Sequence, residues 1–295
     1  MIHKAKKSLG QNFLKSEPAL KKIIEAGEIS SEDIILEIGP GKGVLTKKLL
    51  EKAGLVFAVE KDKNLIEFLQ EKFSEEIKDG KLILTEEDIL EFTSVSEIFN
   101  FNAKQNILER TLGSRDGDGQ RKSLAKDFRG EPENVLRSYK LIANIPYNIT
   151  GAILKKFLTE KNQPSMMVLM VQNEVAKRIV ARDGKESILS ISVKAYGNPK
   201  LEMKVPARYF SPAPKVDSAI ISIKNISRNF FIENKVHEDI FWEIIHAGFA
   251  HKRKKLSSNL KKMSSLLDKN TLETLKDKRA EDLSLTDWVL LTKNE

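Results

Sequence analysis

The first half of the chain alternates short apolar runs with segments of helical periodicity. The runs that predict strands are Ile34–Ile38 and residues 55–59, 81–84, 141–143 and 166–171. Helical patterns cover residues 64–73 and 173–181. Because strands that alternate with helices are typical of a parallel sheet with crossover helices, this half predicts an α/β domain. In such open sheets ligands bind beyond the carboxyl ends of the strands, so functional residues are expected there.

The last part of the chain has a different pattern. A loop with two prolines at 212–214 leads into a late apolar run at 216–224, which predicts another strand. From His237 onward the apolar positions recur only at helical spacing. We therefore predict one domain over residues 1–227 and a small all-helical domain over residues 228–295.

The connection between Asp88 and Asn144 is longer than the sheet requires. It contains 55 residues, where a single crossover helix would suffice. Residues 114–121 are rich in glycine and aspartate, and the residues that follow are mostly polar. The sequence therefore predicts an inserted loop at about 110–135 within the first domain.

Composition narrows the class of protein. Apolar residues make up 40% of the chain and charged residues 31%, which is typical of a globular protein with a substantial core. The longest apolar run, residues 166–171, is too short to cross a bilayer, and the basic start of the chain lacks the apolar stretch of a secretion signal. We therefore expect a cytoplasmic monomer with no membrane partner.

Charge and cysteine content bear on partners and metals. The chain has no cysteine, which excludes disulfides and thiolate ligands, and its four histidines lack metalloprotease spacing, so no metal site is expected. The formal charge of +8 favours nucleic acid, because each neutralised phosphate releases counterions. A basic enzyme without such a partner fits the charge equally well.

A glycine turn (GPGKG, residues 39–43) follows the first predicted strand. Gly39 and Gly41 let the backbone approach a ligand closely, and Glu60, which ends the next strand, can accept both hydroxyls of a ribose. The turn lacks the GxGxxG pattern of dinucleotide sites and follows an acidic residue, Glu37. It therefore favours S-adenosylmethionine over NAD as the ligand, although a simple tight turn needs the same glycines.

Asp88 follows the third predicted strand. Its carboxylate can accept a hydrogen bond from an adenine amino group, or it can cap the N terminus of a helix, which is a common role for aspartate. The sequence leaves both roles open.

The segment NIPY at 144–147, after the fourth predicted strand, points to the most specific chemistry. It matches the (N/D/S)-P-P-(Y/F/W) motif of amino-methyltransferases, with Ile145 in the second position. An exocyclic adenine nitrogen is a poor nucleophile because its lone pair is delocalised into the ring. The Asn144 side-chain oxygen and the Ile145 carbonyl can accept hydrogen bonds from that amino group and aim its lone pair at a methyl donor.

Tyr147 would supply an aromatic face on which a flipped base stacks, and Pro146 would stiffen the turn. If stacking is its whole role, phenylalanine should serve almost equally well at position 147. The alternative is a packed tyrosine in an ordinary turn, without a catalytic role.

Four contiguous cations, Lys252, Arg253, Lys254 and Lys255, lie in the helical tail. A solvated helix face is the usual fate of such a run, but its contiguity and the basic character of the whole chain favour contact with RNA phosphates.

Together these residues resemble the ribosomal RNA adenine dimethyltransferase family, in particular its small-subunit members. The match rests on residues 8–14 (SLGQNFL), 35–43 (ILEIGPGKG), Glu60, 144–148 (NIPYN), 210–218 (FSPAPKVDS) and 249–256 (FAHKRKKL). It spans nearly the whole chain, and the combination is specific although no single segment is. The last of these segments looks like the basic helix of the family's C-terminal domain.

The resemblance implies a Rossmann-like class I methyltransferase sheet with a small C-terminal all-helical domain and S-adenosylmethionine as the cofactor. It implies, as substrate, two adjacent adenosines near the 3′ end of small-subunit rRNA, each converted to N6,N6-dimethyladenosine during ribosome biogenesis. Carried over residue by residue, the cofactor site would comprise Asn12, Leu14, Gly39, Glu60, Asp88 and Asn144. The target base would be held by Asn144, Ile145 and Tyr147, and Phe210 would close its other face.

The long connection before the fourth strand departs from the family, and so do residues 254–258, where the family often has arginine and asparagine.

Three alternatives stay open. An antibiotic-resistance enzyme that dimethylates one adenosine of large-subunit rRNA shares the NIPY segment, although GQNFL, PKVDS and FAHKRKKL favour the small-subunit enzyme. A DNA adenine-N6 methyltransferase would need a target-recognition domain, and none is evident. A non-catalytic assembly factor with this fold need not keep Asn144, Tyr147 and Glu60.

Overall fold

The computed structural model describes residues 6, 9–92, 138–263 and 265–292. The loop predicted at about 110–135 lies outside these described residues. The strands are β1 (Phe13–Leu14), β2 (Ile34–Ile38), β3 (Leu55–Glu60), β4 (Leu82–Glu86), β5 (Tyr139–Asn144), β6 (Met166–Gln172), β7 (Asn198–Val205), β8 (Phe210–Ser211) and β9 (Ser218–Lys224).

Seven of these strands form one sheet in the order β4-β3-β2-β5-β6-β9-β7. The first five are parallel, whereas β9 lies antiparallel between β6 and β7. The five predicted parallel strands and the late strand are confirmed. β7 was not predicted, because this edge strand contains Pro199 and keeps exposed positions, so it lacks a continuous apolar run.

Helices connect the strands and build the end of the chain. The longer ones are Glu17–Ala26, Val44–Leu50, Lys63–Lys72, Thr150–Thr159, Asn173–Ile179, Ile188–Lys194, Glu238–Gly248, Lys269–Leu275 and Leu285–Leu291. The helices predicted at 64–73 and 173–181 are confirmed within two residues. No helix in the described part of the chain is long and apolar enough to cross a membrane.

The strand order creates one place where functional side chains can gather. β2 pairs in parallel with β3 on one side and with β5 on the other, so that Ile38 lies opposite both Val59 and Ala143. The connection after β2 leads to β3 on one side of the sheet, and the connection after β5 leads to β6 on the other side. The two connections therefore leave in opposite directions and open a crevice between them. This is the topological switch point at which open sheets bind ligands.

Within the described residues, the chain after 228 forms helices and a single bridge between Leu267 and Thr292. Phe241 and Trp288 are fully buried and belong to the same hydrophobic cluster as Leu169 of the sheet. Arg228 joins the start of the helix Glu238–Gly248 to the first domain, because it donates to the Glu238 carboxylate at 3.1 Å and to the carbonyl oxygen of Glu160 at 2.9 Å. Apolar packing and hydrogen bonds therefore both hold these helices against the sheet.

Candidate active site

A cavity of about 230 Å³ lies at the switch point, and nine of the residues singled out in the sequence line it. They are Asn12, Leu14, Gly39, Gly41, Glu60, Asp88, Asn144, Ile145 and Tyr147. The residues come from five separate segments, and the carboxyl ends of β2, β3, β4 and β5 bring four of those segments together. The cavity therefore unites the proposed cofactor residues with the proposed base-holding residues.

The glycine turn follows β2 as a series of left-handed backbone conformations. Gly41 has a φ of 58° and Gly43 a φ of 69°, which residues with a side chain rarely adopt. A Cβ atom at Gly41 would lie 3.1 Å from the ring of Phe13, and one at Gly43 would lie 2.4 Å from the ring of Phe73. The glycines are required because the backbone passes close to two aromatic rings, of which Phe13 lines the cavity and Phe73 belongs to the hydrophobic core.

Glu60 ends β3 beside this turn and is only 7% exposed. Its carboxylate accepts the N–H of Gly41 at 3.1 Å and the N–H of Asp62 at 2.9 Å. Burial raises the pKa of Glu60, while these backbone hydrogen bonds lower it. Each carboxylate oxygen retains a lone pair, so the group is held in place and can still accept a ligand hydroxyl.

Asp62, which the sequence analysis did not single out, ties the N-terminal segment to β3. Its buried carboxylate accepts Lys6 Nζ at 2.6 Å and Gln11 Nε2 at 3.0 Å, and it caps the next helix through the N–H of Asn64 at 3.1 Å. Burial acts to raise the pKa of Asp62, but the hydrogen bonds from Lys6 and Gln11 bring it below its ordinary value. The segment that carries Asn12 is therefore anchored by a charged group.

The other end of that segment contacts Asn144. Asn144 Nδ2 donates to the carbonyl oxygen of Asn12 at 3.2 Å. This hydrogen bond uses the amide nitrogen of Asn144 and fixes which atom is left as acceptor, so Oδ1 remains to accept from a substrate amino group. Phe13, next to Asn12, makes a cation–π contact with Lys42, whose Nζ atom lies 4.9 Å from the centre of the ring.

Asp88 caps a turn and also lines the cavity, so the structure is compatible with both of the roles that the sequence left open. Its carboxylate accepts the N–H of Leu90 at 3.0 Å, which caps a turn, and Lys61 Nζ at 2.6 Å. The hydrogen bond from Lys61 lowers the pKa of Asp88, so the group is charged at neutral pH. It also lines the cavity, where it can serve as a hydrogen-bond acceptor for a ligand.

Ile145 and Tyr147 continue the cavity wall after Asn144. Ile145 is only 2% exposed. Its buried side chain fixes the position of the backbone, and so of the carbonyl group that is proposed to accept from the substrate. Tyr147 begins the short 3-10 helix Tyr147–Ile149 and is partly buried. Its hydroxyl lies 2.6 Å from Ser218 Oγ, and burial raises its pKa.

The structure does not bring every predicted residue to the cavity. Phe210 is 4% exposed and lies opposite Leu14 in the two-stranded β1–β8 pair, outside the cavity wall. In this structure it supports the segment that carries Leu14, and its role in closing the other face of the base stays a prediction.

The four cations form an exposed turn, which we call the basic turn (residues 252–255), between the helices Glu238–Gly248 and Leu256–Asn259. The expected basic helix is therefore wrong at these residues, because the run offers no apolar position to bury against the fold. Lys255 pairs with Asp277 at 2.7 Å. Within the described residues, Lys252, Arg253 and Lys254 have no ion-pair partner.

Glu37 is a buried carboxyl that lines the cavity below the glycine turn. Burial raises its pKa to about 8, and the nearby Glu60 carboxylate adds to this effect. Its Oε2 atom has no hydrogen-bond partner among the described residues. A ligand that carries positive charge would favour the charged form of this carboxyl and lower its pKa.

A parallel sheet that ends in an antiparallel pair, with a glycine turn and a carboxylate at its switch point, is the architecture of a class I methyltransferase. Two solved structures share this fold. One is a dimethyladenosine transferase from Plasmodium falciparum, with a TM-score of 0.68, 24% identity and 94% and 95% of the two chains covered. The other is the 23S rRNA methyltransferase ErmE, with a TM-score of 0.67, 20% identity and 95% and 97% covered.

The chain belongs to the ribosomal RNA adenine dimethylase family, whose model matches residues 2–294. A relative in Dehalococcoides mccartyi, called ribosomal RNA small subunit methyltransferase A, is 39% identical over 97% of this chain and 86% of its own. The family expected from the sequence motifs and the methyltransferase fold are both confirmed.

Proposed function

We propose that this protein transfers methyl groups from S-adenosylmethionine to N6 of two adjacent adenosines near the 3′ end of small-subunit rRNA. Each adenosine becomes N6,N6-dimethyladenosine, and the protein acts as a cytoplasmic monomer on the assembling subunit. The observation that carries this proposal is the common cavity, in which the NIPY segment meets the glycine turn and Glu60. A domain division near residue 228 would separate this catalytic part from a helical part that contacts RNA.

The cavity offers a donor set that fits S-adenosylmethionine. Glu60 would accept the ribose hydroxyls, and the open space beside Gly39 leaves room for close approach of the ligand, while Gly41 is held beside it by the Glu60 carboxylate. The unpartnered Glu37 oxygen would accept a hydrogen bond from the ligand, and the charged Asp88 would supply negative charge to the side of the cavity that holds a cationic ligand. When bound, the cofactor supplies an electrophilic methyl group on a sulfonium.

The residues of the NIPY segment would hold the acceptor nitrogen. Asn144 Oδ1 and the Ile145 carbonyl accept hydrogen bonds from the adenine amino group and concentrate its lone pair on the side of the methyl donor. Positive charge develops on that nitrogen as the bond forms, and the two oxygens stabilise it. No strong base is required, because the product ammonium is acidic enough to release its proton to water.

The choice of small-subunit rRNA rests on relatives and motifs. The Dehalococcoides relative named for the small subunit is far more similar in sequence than ErmE, whose likeness extends to the fold alone. The exposed basic turn would contact RNA phosphates away from the cavity. A DNA methyltransferase would need a target-recognition domain, and the described residues are already assigned to the sheet and the small helical part.

Mapping modified adenosines on rRNA from cells with and without the protein tests the proposal. We expect two adjacent dimethyladenosines near the 3′ end of small-subunit rRNA to disappear on deletion. Wild-type protein should restore them, whereas Asn144→Ala should not. Modifications that persist after deletion, or that vanish from large-subunit rRNA instead, would contradict the assignment. Restoration by Asn144→Ala would show that this residue does not perform the chemistry.

A further inference from the structure

The structure pairs Tyr147 with a residue far away in the sequence. The Tyr147 hydroxyl lies 2.6 Å from Oγ of Ser218, which is 71 residues further along the chain. Within the described residues neither hydroxyl has another hydrogen-bond partner. The pair joins the turn after β5 to the first residue of β9.

Ser218 offers a rigid point of attachment. It is fully buried, and its backbone lies between Gln172 of β6 and Val205 of β7 in the sheet. The preceding residue, Asp217, accepts the N–H of Asn173 at its carbonyl at 2.9 Å and the N–H of Ala207 at its carboxylate at 3.0 Å. Because the sheet and the two flanking loops fix this position, the serine hydroxyl can move little.

Tyr147 lies in a much shorter element, the 3-10 helix Tyr147–Ile149. A hydrogen bond at the far end of a phenol ring holds the oxygen in place and so limits rotation about the first side-chain torsion. Because the phenolic O–H prefers the plane of the ring, the direction of the bond also favours one orientation of that plane. Burial raises the pKa of Tyr147, so its hydroxyl stays protonated and available for this bond at neutral pH. Geometry of this kind matters most when a ring must present one face to a substrate.

We propose that Ser218 is a positioning residue for methyl transfer, whose hydroxyl anchors Tyr147 in the orientation that supports the target adenine. This inference rests on the proposed function of Tyr147 as the stacking face. It changes the expectation for position 147, since the hydroxyl as well as the ring contributes, and phenylalanine is no longer an adequate replacement.

A double-mutant cycle of Tyr147→Phe and Ser218→Ala tests the anchor. The measurement is the single-turnover rate of methyl transfer from labelled S-adenosylmethionine to undermethylated small subunits at saturating cofactor. Each single variant should lower the rate about tenfold, or about 1.4 kcal/mol. The double variant should be no slower than the slower single variant, because both changes break the same hydrogen bond.

Ser222→Ala is the matched control. Ser222 lies four residues further along β9 and is equally buried, but its hydroxyl donates to Glu202 at 2.8 Å, away from the cavity. This variant should melt at a lower temperature than the wild type and methylate at the wild-type rate. Cofactor affinity, measured by calorimetry, should be the same as in the wild type for both single variants, the double variant and Ser222→Ala, since all of them keep the ring at position 147.

The proposal is overturned if Ser218→Ala methylates as fast as Ser222→Ala, or if the two single losses add in the double variant. If Ser218→Ala does not fold, Tyr147→Phe decides, since it keeps Ser218 and a wild-type rate would exclude the anchor. Tyr147→Ala distinguishes failure of the Ser218 anchor from failure of the stacking role of Tyr147. A slow Tyr147→Ala beside a normal Ser218→Ala removes only the anchor, whereas a normal Tyr147→Ala contradicts the stacking role itself.

Discussion

Around the cavity, polar side chains are buried or half-buried and are held by hydrogen bonds to the backbone, whereas the basic turn exposes three cations that have no ion-pair partner in the described part of the chain. Glu60 is fixed by two backbone N–H groups, and Asn144 is fixed by the Asn12 carbonyl. Among the residues that the structure describes, no ion pair holds the side chain of Lys252, Arg253 or Lys254. The two regions therefore differ in how tightly their charged and polar groups are positioned before a ligand arrives.

This difference has a physical consequence. Groups held in a cavity act in a medium of low effective dielectric constant, so each contact is strong and depends on geometry. Exposed cations act through a field that salt screens within about 10 Å at 0.1 M. Substitutions in the cavity should therefore change chemistry or cofactor affinity, and substitutions in the turn should change affinity for RNA and its dependence on salt.

The largest effect is expected at Asn144. Asn144→Ala removes one of the two acceptors that orient the amino group, which should lower the single-turnover rate by about 100–1000-fold. Binding to small subunits, measured by filter retention, should stay at the wild-type level because the basic turn is intact. Full methylation by Asn144→Ala at saturating cofactor would contradict the proposal that the cavity performs the chemistry and the basic turn contributes only to RNA binding.

Glu60 should affect the cofactor. Glu60→Ala removes a charged acceptor and should weaken S-adenosylmethionine binding by about 1.5–3 kcal/mol, measured by calorimetry. Glu86→Ala is the matched control, because Glu86 pairs with Glu60 in register at the end of β4 but is exposed and does not line the cavity. Equal affinities in the two variants would remove Glu60 from the cofactor site.

The basic turn should respond through salt. Replacing Lys252, Arg253 and Lys254 with glutamine should reduce the slope of log affinity for small subunits against log salt by about 2. The same replacement of Lys261, Lys262 and Lys269, three exposed lysines of the helical part, is the matched control. Slopes that fall equally in both triple variants would mean that the turn contributes only net charge.

A separate effect, on stability rather than on activity or binding, is expected from pH at Glu37. Burial raises the pKa of Glu37 from 4.5 to about 8, so the folded state favours its neutral form. The stability of the wild type should therefore fall relative to Glu37→Gln as the pH rises from about 4.5 to about 8, and the difference should be constant above that. Urea unfolding of both proteins at several pH values measures this difference, and parallel curves would show that Glu37 ionises normally.

The sequence predicted the parts of the fold that depend on local pattern. Strands buried on both faces, such as Ile34–Ile38, read as continuous apolar runs, and the residues that follow them fall at one sheet edge. β7 was not predicted because apolar and polar residues alternate along this edge strand. The pair of β1 with β8 was not predicted because strands of two residues have no recognisable pattern. The basic turn was mistaken for a helix because charge alone does not define secondary structure.

The candidate site shows the same limit. Motif residues such as Gly39, Glu60 and Asn144 could be found because each follows a predicted strand. Ser218 ends the motif FSPAPKVDS, but its role and that of Asp62 could not be predicted, because their contacts with Tyr147 and Lys6 span 71 and 56 residues and appear only when the chain is folded. Supporting contacts of this kind depend on tertiary structure and leave no local signal.

The central claim is that the cavity dimethylates adenosine in the small subunit, and the composition of the product tests it most directly. Purified protein would be incubated with undermethylated small subunits and S-adenosylmethionine carrying an isotopically labelled methyl group, and the nucleosides would be analysed by mass spectrometry. The account predicts two labelled N6,N6-dimethyladenosines per subunit, at adjacent positions near the 3′ end, and none with Asn144→Ala. Label on another nucleoside, or in large subunits only, would contradict it.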